Sequence, residues 1–325
     1  TMGEGEGFTL HPADMIFEQR SGVCKDIAGM LIAMMRAAGM DSYAAMTMAG
    51  SRIDEVPADQ FNHCVTALKL EDGSYRMYDP TWVPYNNAIW SYSETEQHYL
   101  VGSPEGETLS RIRYSPPSES PLKVNHFAEL DGEGNLTGEF VLNGSGAMDG
   151  RLRRMVNGVR RRELDARAAG LLSVISPRVE DVKATHHVVD DFSGDMWVRI
   201  SYTIPRYAQP VAGGLEFQSP MMAVVLSDGN LFGTGGQRWG EERETDLMLW
   251  YTQLVDATET IKLPGGLKLK GEPAVDEVDE TYASFAGAAT QKGSTLTVTQ
   301  RAEVRRRQIP PDGYPGFVKA MTAAR

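Results

Sequence analysis

The stretch Ser21-Gly22-Val23-Cys24-Lys25-Asp26-Ile27-Ala28-Gly29-Met30-Leu31-Ile32-Ala33-Met34-Met35-Arg36-Ala37-Ala38-Gly39-Met40 decides how this sequence is read. Ile27, Ala28, Leu31, Met34, Met35 and Ala38 follow the i, i+3, i+4, i+7 spacing of an amphipathic helix. A helix is predicted from Cys24 to Ala38, with Gly39 where a left-handed cap belongs. Cys24 therefore stands in the first helical turn. Free N–H groups and the positive end of the helix dipole favour a thiolate there, and the thiolate is the attacking form. The same position also suits plain packing, because Cys24 shares a stripe with Ile27, Ala28 and Leu31. Asp26, in the same turn, complements the dipole and reads as structural.

Working outward, His11-Pro12-Ala13-Asp14 opens a short helix running to about Gln19. Downstream, Tyr43–Met48, Phe61–Leu70 and Tyr75–Tyr78 read as strands, and Glu71-Asp72-Gly73-Ser74 is a hairpin turn between the last two. Helix followed by antiparallel strands is an α+β pattern. The hairpin carries two further polar residues, His63 in Phe61-Asn62-His63-Cys64-Val65 and Asp79 in Tyr78-Asp79-Pro80-Thr81-Trp82. Taken singly, each has an ordinary structural explanation, a packed histidine and a turn aspartate. Jointly, they test the hairpin. A three-residue loop with Gly73 left-handed sets residue 70 opposite 74, and puts Asp79 opposite Val65 on the face of His63. A two-residue loop would turn Asp79 to the other face. Cys64, next to His63, points away from it and reads as buried and inert. Cys24 and Cys64 could form one disulfide, but two cysteines in 325 residues are no disulfide framework.

A cysteine at a helix start, followed by a histidine and an aspartate on adjacent strands, resembles the transglutaminase-like core of the papain-like fold. The match rests on Ser21–Asp26, Leu31–Met40, Asn62-His63 and Tyr78–Trp82, and covers roughly residues 10 to 85. The resemblance implies Cys24 as nucleophile, His63 as base and acid, and Asp79 as the residue orienting the imidazole. It implies thioester chemistry at an amide bond, by hydrolysis or by transfer to an amine, with a protein or peptide substrate offering an amide or a glutamine, and no cofactor or metal. The Cys24 N–H is expected to contribute to an oxyanion hole; Gln19 is a candidate second donor or else a solvent-facing helix residue, and Trp82 a candidate cleft wall or else a core or hairpin-packing residue. A catalytically silent binding or adhesion module on the same scaffold is the alternative. Such cores normally carry more chain ahead of the cysteine helix, so an N-terminal domain is expected beyond this sequence. The expected location, periplasmic or secreted in a bacterium, likewise places the targeting segment outside it.

Residues 84 to 121 are rich in Tyr, Ser, Glu and Pro and end in Ser115-Pro116-Pro117-Ser118-Glu119-Ser120-Pro121, a linker pattern. The expected division is a core over 1–115 and a β-rich, sandwich-like region over 122–325, which loosely resembles the region following such cores in some bacterial proteins. Its predicted strands are Val124–Leu130, Gly138–Asn143, Met196–Tyr202, Met221–Leu226, Thr258–Lys262, Tyr282–Ala286 and Thr295–Glu303, with one helix over about 150–172. With 32 basic against 44 acidic residues, the net charge of −12 argues against a general nucleic-acid binder. The basic run Arg151–Arg162 reads as a solvated helix face. The apolar runs Gly29–Met35 and Met221–Leu226 are far shorter than the roughly 20 residues of a membrane span. His186-His187 with Asp190-Asp191 is a poor metal site, because adjacent strand histidines face opposite sides. Gly144-Ser145-Gly146 and Gly233-Thr234-Gly235-Gly236 read as turns.

Overall fold

A computed structural model describes residues 10–48, 53, 60–82, 88–226, 242–270 and 277–323. The Gly233–Gly236 turn lies outside the described residues. The chain divides into two compact units, Thr1–Ser115 and Pro116–Arg325.

In the first unit, helices α1 (Ala13–Gln19) and α2 (Cys24–Ala37) precede strands β1 (Ser42–Thr47), β2 (His63–Lys69), β3 (Tyr75–Tyr78), β4 (His98–Val101) and β5 (Ser110–Arg111). The strands form one antiparallel sheet in the order β3-β2-β1-β4-β5. The β2–β3 hairpin has the register of a three-residue loop: Thr66 pairs with Tyr78, Leu70 N–H donates to Ser74 O, and Gly73 takes φ +82°. One sheet face carries Val65, Ala67, Ala45 and Val101, packed with Tyr43, Tyr75, Met77 and Tyr99. The other face receives α2, where Thr66 Oγ1 donates to Ala28 O at 3.2 Å and Ser42 Oγ donates to Ile32 O at 3.4 Å.

Two expectations are corrected here. The buried residues of α2 are Lys25, Asp26, Ala28 and Ile32, and Met34 is 61% exposed. A helix that is apolar almost all round does not announce its inner face; the hydrogen bonds to Thr66 and Ser42 select it. The segment read as a linker is mostly folded, since its strand β4 pairs with β1 through Ala45–Thr47.

The second unit contains β6 (Pro121–Leu130), β7 (Leu136–Gly144), α3 (Ala147–Val156), α4 (Arg161–Leu172), β8 (Glu180–His186), β9 (Met196–Ile204), β10 (Gln209–Val211), β11 (Gly214–Glu216), α5 (Pro220–Leu226), β12 (Leu247–Met248), β13 (Gln253–Lys262), β14 (Glu277–Asp279), β15 (Ala283–Lys292), β16 (Thr295–Val304), β17 (Gln308–Ile309) and α6 (Tyr314–Ala323). The long strands join in one sheet, β14-β15-β16-β13-β6-β7-β9-β8, while β10–β11 and β12–β17 are separate two-stranded pairs. Strand β6 lies mid-sheet, parallel to β13 and antiparallel to β7. The region is β-rich, as expected, but it is built as one large sheet with helices packed on it, rather than as two sheets facing each other in a sandwich.

The local reasons for the other departures are visible. The expected single helix breaks into α3 and α4 at Gly158, whose φ of +71° ends the first turn sequence. Met221–Leu226 is helical rather than extended: Ser219 Oγ accepts the Met222 N–H at 3.2 Å, Pro220 occupies the first turn, and the Met221 N–H donates to buried Glu259 at 2.9 Å. Within the basic run, Arg154, Arg160, Arg161 and Arg162 are exposed, but Arg153 is fully buried. Its guanidinium grips both Asp149 oxygens, at 2.8 and 3.1 Å, and donates to the carbonyls of Val189, Asp191 and Gly194. Five donors in a planar fork make arginine able to satisfy itself this way in a core.

Candidate active site

The site begins with a cap. Val23 precedes α2, and its N–H donates to Asp26 Oδ2 at 3.0 Å, while Asp26 Oδ1 meets His11 Nδ1 at 2.9 Å. Burial would raise the Asp26 carboxyl, yet the Val23 N–H, His11 and Lys25 outweigh it and hold the group below its ordinary range. Asp26 is thus the anchor of the helix start that presents Cys24.

His63 is the first residue of β2. Its Nε2 lies 2.9 Å from Asp79 Oδ2, just beyond the end of β3. Asp79 is wholly buried, its N–H donates to Ile89 O at 2.8 Å, and its Oδ1 accepts the Thr81 N–H at 3.1 Å. Cys24 and His63 line one cavity, and the His63 side chain acts on the Cys24 thiol as a hydrogen-bonding neighbour. The structure therefore places Cys24 and His63 at one cavity, with Asp79 bonded to the imidazole.

The electrostatics favour an ion pair. The hydrogen bond to His63 is the largest influence on Cys24; it outweighs burial and, with the N–H groups of Cys64 and Lys25, lowers the thiol below its ordinary value. Burial alone would depress the imidazole, but hydrogen bonds to Asp79 and Cys24 and the charges of Asp79 and Glu94 raise it to about 10. Each group stabilises the charged form of the other.

Three contributors were not read from the sequence. The Cys64 N–H reaches the Cys24 sulfur. In the hairpin register the partner of Cys64 would be Pro80, which starts a 3-10 turn, and the last β2–β3 rung is Thr66–Tyr78. The sheet edge is open there, and the N–H is left for the sulfur. The signal lay in Pro80, which cannot continue a ladder. The second contributor is Thr47, opposite His63 on β1, and the third is Glu94, wholly buried, whose Oε2 accepts from Thr47 Oγ1 at 3.1 Å. Glu94 comes from the segment read as a linker, and no spacing rule connects it to His63.

Gln19 ends α1 and is exposed, and Trp82 is 38% exposed; neither lines the cavity at Cys24. The Cys64 side chain is buried and free, and burial first, then the neighbouring charge of Cys24, pushes its thiol up to about 12. The two cysteines are not joined.

Residues 4–85 match the transglutaminase-like superfamily, and the first unit carries a transglutaminase-like core. Residues 220–325 match a family described only as a domain of unknown function, DUF3858. The fold is similar to the crystal structure of a "putative protease" from Parabacteroides distasonis, with a TM-score of 0.51 and 12% identity, over 96% of this chain and 44% of that one. This chain thus spans less than half of that protein's length. No curated protein matches.

Proposed function

We propose that the first unit is a cysteine-dependent enzyme that opens amide bonds through a thioester. The observation that carries the reading is that His63, bonded to buried Asp79 at 2.9 Å, lines the same cavity as the Cys24 thiol. On this reading the Cys24 thiolate attacks the amide carbonyl, and an S–C bond forms as the carbonyl oxygen takes the negative charge. The N–H groups of Cys64 and of the α2 start stand beside the sulfur and favour that oxyanion. The protonated His63 then gives its proton to the leaving amine as the C–N bond breaks, leaving an acyl thioester. Neutral His63 next removes a proton from water or from a second amine, which attacks the thioester and releases Cys24. Water yields hydrolysis; an amine yields transfer. Asp79 holds the ring in the tautomer and orientation both steps require.

The superfamily match over residues 4–85 supports the same reading. The test is a panel of peptide amides and glutamine donors, with and without a labelled amine, comparing wild type with Cys24→Ala. Turnover that vanishes with Cys24→Ala is expected, and amine incorporation separates transfer from hydrolysis. Equal behaviour of the two proteins overturns the enzyme reading and makes the unit a binding module.

A further inference from the structure

We propose that the hollow beside Cys24 is a subsite for an apolar side chain, so that the acyl donor is a peptide with a leucine- or phenylalanine-like residue next to the reacting amide. The proposal rests on the reading of Cys24 as nucleophile and adds the class of substrate. A cavity of about 430 Å³ opens at Cys24, walled by Leu10, Val23, Ala44, Met46 and Phe61, with Lys25, Asn62, His63 and Cys64 completing it. Ala44 and Met46 pair with Thr66 and Cys64, so they share the sheet face that receives α2. Val23, Ala44 and Met46 are therefore held by the start of α2 and by β1, while Leu10 and Phe61 come from the segments just ahead of α1 and β2. Preorganised elements of this kind make a specific subsite.

Size and solvation both favour a carbon-rich occupant. An engineered apolar cavity of about 150 Å³ accommodates benzene. The hollow at Cys24 is more than twice that, enough for a ring or branched side chain together with the main chain leading to the sulfur. A carboxamide or hydroxyl turned toward Val23, Ala44, Met46 and Phe61 would lose water without gaining a partner, which costs binding. A short polar side chain would leave the hollow unfilled. Apolar pockets discriminate between side chains differing by a methylene about tenfold or more, so the preference is expected to be at least of that size. Lys25 also borders the hollow, so an acidic side chain is the natural competitor and belongs in the test.

The experiment uses the whole chain and the N-acetyl chloromethyl ketones of leucine, phenylalanine, glutamine, serine and aspartate, which carry the side chain on the acyl side of the reacting carbon. The Cys24 thiolate displaces chloride, forming an S–C bond as the C–Cl bond breaks, and mass spectrometry follows labelling at Cys24. No turnover is required. Each rate is divided by that for iodoacetamide on the same protein, so a variant's change in thiol reactivity cancels. The leucine and phenylalanine probes are expected to label at least about tenfold faster than the other three. Met46→Asp and Phe61→Asp, which change the wall on two separate segments, are each expected to erase that ratio. Equal relative rates for all five probes overturn the subsite, as does a glutamine, serine or aspartate probe that labels fastest. These results leave the nucleophile reading standing. A Cys24 that labels with none of the reagents overturns both.

Discussion

Each unit of this protein contains a buried histidine–carboxylate pair, and the two pairs differ in what surrounds them. In the first unit, His63 Nε2 meets Asp79 at 2.9 Å; in the second, His126 Nδ1 meets Glu259 at 2.8 Å. His126 and Glu259 face each other across the parallel β6–β13 ladder, and both are wholly buried. The remaining nitrogen of His126 lies 2.8 Å from the Tyr202 hydroxyl, and Phe140 stacks on the ring with centroids 4.1 Å apart. Gly138 makes room for this bond, since a Cβ there would come within 2.9 Å of both His126 and Tyr202. Burial, then the charge of Glu259, raises the Tyr202 hydroxyl far above its usual value. The carboxylate also accepts the Met221 N–H that starts α5. This pair ties a helix and three strands together. His63 instead lines a cavity that it shares with a half-buried thiol, Cys24. A histidine–carboxylate contact is therefore no signature of catalysis; the occupant of the second nitrogen and its access to substrate decide.

The largest expected contrast comes from removing each imidazole. His63→Ala is expected to lower amide turnover by about ten-thousand-fold, the scale on which triads fail. A loss under tenfold would break the comparison, because the two pairs would then be functionally alike. His126→Ala leaves the Glu259 carboxylate buried without its partner and should cost about 3–5 kcal/mol of stability. Denaturant unfolding measures that loss, while the alkylation rate of Cys24 in the folded protein is expected to stay at the wild-type value. An unchanged midpoint would mean that the second pair is not holding its unit together.

Titration sharpens the contrast further. Alkylation of Cys24 should reach half its limiting rate below the free-thiol value of about 8.5, since His63 lowers the thiol. On the proposed mechanism the imidazolium is the proton donor, so turnover should fall as pH rises through about 10, where His63 loses its proton. Glu94→Gln removes a negative charge that favours the imidazolium, and the falling limb is expected to move to lower pH. A limb that stays in place would show that Glu94 does not act on the ring. The smallest effect concerns the platform. Thr66→Val deletes the hydrogen bond that docks α2 on β2 and keeps a β-branched shape, so about 0.5–1.5 kcal/mol of stability should be lost. Calorimetry checks it, and turnover of the folded protein should remain within about twofold.

By itself the sequence determined the features governed by local geometry. Cys24 begins its helix because the apolar spacing starts there, and Gly73 admits the left-handed turn that sets the β2–β3 register. That register alone predicts His63 and Asp79 on one face, since side chains alternate with a period of two. Only the tertiary structure decided which other groups converge on them. The Cys64 N–H reaches the sulfur because β3 ends before Pro80, and Glu94 reaches Thr47 because β4 returns a linker-like segment to β1. The buried Arg153 and the helical Pro220–Leu226 belong to the same class, for each is held by partners distant in the chain: Gly194, 41 residues from Arg153, and Glu259, 38 residues from Met221. Periodicity, caps and turns are short-range preferences legible within a few residues. The burial of a charge or the aim of an N–H depends on contacts that exist only once distant segments have packed.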